Sequence, residues 1–194
     1  MDDLQTFDSK LKELTRFDVS ARPFLCEGSP FACKIFLVGI NPATTTSFWD
    51  YWSIKNGCDK NKWIIKYLEQ HGKFSPTRKR IELFFEHAMP LQVLETNIYP
   101  FPSDRENELN QRDRDTSLFD YLISVIQPKL ILGHGTSVIK HLSEVYGEKL
   151  VKGEFVNVIH KGNPVEVRVE NHFSYQWSFD AIRNLASEVK GRYT

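Results

Sequence analysis

Apolar residues at Leu4, Phe7, Leu11, Leu14 and Phe17 recur at spacings of three and four, which predicts an amphipathic helix over residues 3–17. The run Ile35-Phe36-Leu37-Val38-Gly39-Ile40 is continuous instead, and Asn41-Pro42 stops it. Such a run predicts a strand buried on both faces, as in a parallel sheet. Val93–Asn97 and Leu130-Ile131-Leu132 predict two more strands, the second closed by Gly133-His134-Gly135. Residues 41–58, rich in Thr and aromatics, read as a loop, and so do Tyr99–Asp115. Asp59 is placed to cap a helix through Gln70 that Gly72 ends. Ser75-Pro76 gives a cap and a first-turn proline for a helix to about His87. Residues 116–126 and 136–146 are helical by period. Val156–His160 and Val165–Val169 read as strands joined at Gly162-Asn163, before a last helix from the Ser178 cap to Gly191.

Strands alternating with helices predict an α/β fold around a mainly parallel sheet. The length of 194 residues suits one domain over 1–194, with neither repeat nor linker to divide it. In such sheets ligands sit beyond the carboxyl ends of the strands. Asn41, Asn97, His134 and, after the last strand, His172 occupy those ends.

Charge changes this picture. Lys+Arg and Asp+Glu number 25 each, so the formal net charge is zero, which argues against a generic basic nucleic-acid coat. The sum hides a distribution: residues 55–80 carry a net +6 and residues 81–120 a net −6. No apolar run approaches the roughly 20 residues of a membrane span. Met1-Asp2-Asp3 lacks the basic and apolar regions of a signal peptide. Cys26, Cys33 and Cys58 cannot all pair, and their spacing is not that of a zinc site, so a reduced cytoplasmic protein is expected. If the source is bacterial, such a protein has access to the nucleoid.

Four patches, in order, carry a resemblance. Val38-Gly39-Ile40-Asn41-Pro42 resembles the first motif of the uracil-DNA glycosylase superfamily, in its mismatch-specific form. Thr96-Asn97, followed by Pro100 and Pro102, is similar to the second-strand motif. Pro128–Gly133 looks like the third strand and its glycine turn. Asn171-His172-Phe173-Ser174 looks like the final His-Pro-Ser motif. Two positions depart: Ala43 stands where a glycine usually follows Asn-Pro, and Phe173 replaces the proline.

The resemblance implies a three-layer α/β/α fold with a central four-stranded, mainly parallel sheet. It implies hydrolysis of the N-glycosidic bond of uracil or a related damaged base in DNA. That chemistry needs a flipped base in a snug pocket, a positioned water, and a donor for the charge growing on the base. Asn41 would orient the water, with the backbone of Ile40 assisting. Asn97 would read the base edge, because an amide offers both donor and acceptor. His172 would donate to the developing oxyanion, with Ser174 beside it in the motif. The stacking aromatic is expected on the loop after Asn41, with Trp52 first, Trp49 second, and Phe48 and Tyr51 competing. Tyr175 and Gln176 lie where the family inserts a wedge into the base stack. No metal, iron–sulfur cluster or organic cofactor is implied, because cluster-bearing members use four cysteines. No obligate protein partner and no membrane partner is implied either.

Lys60, Lys62, Arg78, Lys79 and Arg80 belong to the basic block that follows the presumed pocket loop. They would hold a DNA backbone, or form solvated helix faces. Two alternatives stay open. One is a non-catalytic nucleic-acid-binding module on the same fold. The other is a nucleotide-binding hydrolase that uses Gly133-His134-Gly135 for phosphate through backbone N–H groups.

Overall fold

In a computed structural model, the structure describes residues 4–43 and 46–194. The reading of Met1-Asp2-Asp3, and Thr44 and Thr45 of the 41–58 segment, lie outside the described residues. The strands are β1 (Phe24–Leu25), β2 (Glu27–Gly28), β3 (Ile35–Gly39), β4 (Trp52–Ser53), β5 (Gly57–Asp59), β6 (Val93–Asn97), β7 (Leu130–His134), β8 (Phe155–His160) and β9 (Asn163–Glu170). The α-helices are α1 (Leu4–Leu14), α2 (Lys60–His71), α3 (Pro76–Ala88), α4 (Ser117–Ile126), α5 (Thr136–Tyr146) and α6 (Phe179–Tyr193). None of the helices among the described residues is long and apolar enough to cross a membrane.

The fold is α/β with a mainly parallel sheet. Its six strands run in the order β1-β6-β3-β7-β9-β8. The inner strands β6, β3, β7 and β9 are parallel, while β1 and β8 add antiparallel edges. The expected four strands therefore become six. β8 and β9 are one hairpin, turned by Lys161 and Gly162 at φ 47° and 88°, the signs that a tight primed turn requires. β1 has only two residues and no period to read.

The strand sequences explain the layers. Along β3, Phe36 and Val38 enter one core with Phe7, Leu11, Leu122, Leu142 and Val167. Ile35 and Leu37 enter a second core with Ile81, Phe84, Ile182 and Leu185. Side chains alternate across a strand, so helices cover both faces of the sheet. α1, α4 and α5 lie on the first face, α3 and α6 on the second.

Local chemistry sets the helix ends. The Asp59 side chain accepts from Lys62 N, and Gly72 closes α2 in the left-handed region. The Ser75 side chain accepts from Arg78 N, with Pro76 in the first turn of α3. Ser178 caps α6 through Ala181 N. The first helix stops before the expected Phe17, because Arg16 and Phe17 turn to φ 57° and 49°. The 41–58 segment contributes β4 and reaches β5, which with β2 forms a small antiparallel sheet in the order β2-β5-β4. This sheet was not expected; strands of two or three residues leave no periodic signal.

Candidate active site

The carboxyl ends of β3, β6 and β7 open into one cavity of about 530 Å³, within the usual size of a small-molecule site. Parallel register brings Gly39 opposite Asn97. Ile40 and Asn41 continue from β3, Asn97 ends β6, His134 ends β7, and His172 follows β9. All five line the cavity. The residues at the strand ends thus converge, although 131 positions separate Asn41 from His172.

Asn41 is held by its amide nitrogen, which donates to the Ser103 carbonyl at 2.9 Å, the Ser103 hydroxyl at 3.0 Å and the Pro42 carbonyl at 3.1 Å. Among the described residues nothing donates to its Oδ1. Asn97 is 6% exposed. Its Nδ2 is buried and has no hydrogen-bond partner among the described residues. A buried donor left this way costs about 1–3 kcal/mol, and it marks a position that a ligand would satisfy.

His134 is buried. Burial, followed by the nearby charge of His172, pushes its pKa from 6.5 down to about 3, so the ring is neutral. The backbone N–H of Phe173 approaches its Nδ1 at 3.5 Å. This contact fixes Nδ1 as the acceptor and puts the remaining proton on Nε2. A Cβ built on Gly39 would lie 3.8 Å from that Nε2 and 2.8 Å from Asn97 Oδ1. His134 and Asn97 therefore face the same small volume beside a glycine. His172 lies at the exposed mouth, its ring centroid 5.1 Å from that of His134. Partial burial lowers its pKa as well.

The Phe-for-Pro departure acquires a reason here. Phe173 is fully buried, and its ring stacks on His134. A proline at this position has no N–H to offer Nδ1.

The cavity floor is ionic. Arg78 forks onto Glu95 at 2.5 and 2.8 Å and reaches Glu82 at 3.1 Å. Arg22 Nη2 donates to Glu95 at 3.1 Å. Burial would push the Glu95 carboxyl up, but the Arg78 and Arg22 charges outweigh it and hold the pKa at about 2. Burial drives Arg22 down to about 10 against the opposing pull of Glu95.

Several expected site residues lie elsewhere. Trp52 sits in the core against Phe7, Phe24 and Phe48, with Nε1 donating to Asp8 at 2.8 Å. It cannot stack on a ligand in this cavity. Trp49 packs on Phe17 and Phe48 and donates to the Asp18 carbonyl; it does not line the cavity. Tyr67 of α2 is the aromatic ring on its wall, with His71 4.5 Å away. Ser174 belongs to the turn after His172, where its N–H donates to the His172 carbonyl at 2.7 Å, and its side chain is not on the wall.

Part of the basic block is internal. Lys60 pairs with Glu82, Arg78 with Glu95, and Arg80 donates to the carbonyls of Trp177 and Pro76. These three are buried, so they do not form the expected backbone-binding surface. Lys62 is exposed and pairs with Asp59. Lys79 is exposed and lines an adjoining cavity with Lys73, Arg80, Tyr175 and Phe179. Tyr67, His71 and Ser75 border both cavities. Tyr175 is 83% exposed, and Gln176 beside it is exposed too. On the other side, Asp104 and Glu106 of the acidic loop line the main cavity.

At the glycine turn Gly135 N–H donates to the Glu170 carbonyl at 2.9 Å, so this donor is committed within the protein. Arg22, Tyr67, His71 and Ser103 were not expected at the site. Only the fold assembles them, and no local motif marks them. No protein-family model matches the chain, and a search of the curated proteins finds no match.

Proposed function

We propose that the protein hydrolyses an N-glycosidic bond, with uracil or a related damaged base in DNA as the substrate its motifs resemble. The observation that carries this reading is the convergence of Asn41, Asn97, His134 and His172 on one cavity. The uracil-DNA-glycosylase-like layout is part of the proposal, supported by the four parallel inner strands and their order of motifs.

The chemistry follows from the groups. A water bound to Asn41 Oδ1 adds its oxygen to the anomeric carbon as the bond to the base breaks. The bonding electron pair leaves with the base, and the water proton passes to solvent. An amide is no strong base, so rate comes mainly from stabilising the departing anion. His134, neutral and protonated on Nε2, is the interior donor for that charge. His172 assists from the mouth. Asn97 Nδ2 and Oδ1 read the base edge, and Tyr67 supplies the aromatic wall. Lys73, Lys79 and Tyr175 of the adjoining cavity would meet the strand beside the flipped nucleotide.

A second reading has its own support. Asp104 and Glu106 on the cavity wall repel a polyanionic strand, which favours a free nucleoside or nucleotide over DNA. A competition assay separates the two. Release of base from a uracil-containing oligonucleotide, undiminished by excess free nucleotide, supports DNA. Release from mononucleotides alone supports the second reading.

A further inference from the structure

The first turn of α3 opens into the main cavity through Ser75, Thr77 and Arg78. First-turn N–H groups have no acceptor within their helix. Here Pro76 has none to offer, Arg78 N uses the Ser75 hydroxyl, and Lys79 N uses the Ser75 carbonyl. Among the described residues nothing accepts from Thr77 N–H. The partial positive charge of a 13-residue helix end therefore faces the cavity with one free donor.

A second observation is independent of the helix. Arg22 is 4% exposed and lines the same cavity. Only its Nη2 is paired, while Nε and Nη1 are buried without partners. The ionic cluster around it holds Arg22, Arg78 and Lys60 against Glu95 and Glu82, leaving one positive charge uncompensated. The unpartnered buried groups on this wall, Arg22 Nε and Nη1 and Asn97 Nδ2, are all donors. The start of α5 differs: there Glu106 of the chain itself accepts from the Ser137 hydroxyl.

We propose that the first turn of α3 and Arg22 form a subsite for a phosphate group, taken as inorganic phosphate or as a phosphomonoester. Several oxygens of one tetrahedral anion match several converging N–H donors. Arg22 is too deep for a continuous strand to pass across it, so a terminal phosphate fits best.

The test is calorimetric titration of the whole protein at low salt with inorganic phosphate, uridine 5′-monophosphate, uridine, and an oligonucleotide without terminal phosphate. One saturable phosphate site is expected, with uridine at least tenfold weaker than its monophosphate. Arg22→Met should weaken phosphate at least tenfold. Arg22→Lys keeps the charge beside Glu95 and should weaken it less. In case Arg22→Met does not fold, the Thr77 amide resonance of the wild-type chain should move on adding phosphate. If the oligonucleotide, which has only phosphodiesters, moves that resonance as far and loses affinity in Arg22→Lys, the proposal of a terminal-phosphate site is overturned. Absence of a phosphate site, or phosphate binding indifferent to Arg22 and silent at Thr77, overturns the proposal. Binding is read without any base release, so either outcome leaves the hydrolytic reading to its own test.

Discussion

The imidazole of His134 and the ring of Phe173 stack with centroids 4.8 Å apart and planes 12° apart. This contact covers one face of the His134 ring, which is only 5% exposed. Its consequence is acid lability. The folded pKa is about 3 against an ordinary 6.5, so between those values the unfolded chain binds a proton that the folded chain does not. Stability then falls as pH drops from 6.5 toward 3, by up to about 1.4 kcal/mol per pH unit for this group. Glu95, held at about 2, adds loss of the same sign below its ordinary 4.5. Denaturant unfolding at pH 7, 5.5 and 4.5 should show a shallower pH slope in His134→Gln than in wild type. Equal slopes would remove the neutral buried histidine from the account.

Gly39 makes room for Asn97. A Cβ on Gly39 would come within 2.8 Å of Asn97 Oδ1, closer than side-chain contacts allow. Gly39→Ala should push the Asn97 amide aside at a stability cost of about 1–3 kcal/mol. Turnover should fall at least tenfold. Loss of stability with full turnover would show that Asn97 does not need its present pose.

Asn97→Leu separates stability from function. The Asn97 Nδ2 has no partner in the free protein, and an apolar group of similar size removes that penalty. Thermal unfolding should be unchanged or shifted upward by roughly 1 kcal/mol, while base or nucleotide binding disappears. A variant that is destabilised and still binds would contradict the assignment.

Trp52→Phe tests whether Trp52 acts in the core or at the site. It breaks the Nε1 bond to buried Asp8, so a loss of roughly 1–3 kcal/mol is expected. Turnover of the folded variant should stay within about twofold. A large fall in turnover with intact stability would return Trp52 to the site.

The sequence made visible what local chemistry encodes. The apolar runs of β3 and β7, and the caps at Asp59, Ser75 and Ser178, need only neighbouring residues, and their elements sit where expected. The strand-end rule placed Asn41, Asn97 and His172, because a parallel sheet puts its carboxyl ends together whatever lies between. The remaining features rest on distant pairs. Arg22 meets Glu95 across 73 positions, and the basic block changes meaning because Lys60, Arg78 and Arg80 fold inward to partners on other elements. Trp52 carries the same apolar signal whether it faces a ligand or Phe48. The role of Phe173 became legible only once His134 lay beside it.

The neutral total charge follows this logic. Two charges of the +6 of residues 55–80, on Lys60 and Arg78, are paired inside the protein with Glu82 and Glu95, and part of the −6 of residues 81–120 faces the cavity. The positive charge left for a ligand is therefore local, at the cavity floor and in the adjoining cavity with Lys73 and Lys79.

The proposed reaction is hydrolysis of an N-glycosidic bond by the group of residues around Asn41. Its most direct test is base release by the purified protein. The panel is uracil-, hypoxanthine- and mismatch-containing oligonucleotides with the free nucleosides and nucleotides, each run with Asn41→Ala alongside. Release from at least one substrate is expected, with a loss of about a hundredfold or more in Asn41→Ala, the scale on which positioned polar groups act. No release from any substrate, or release that Asn41→Ala leaves unchanged, would contradict it.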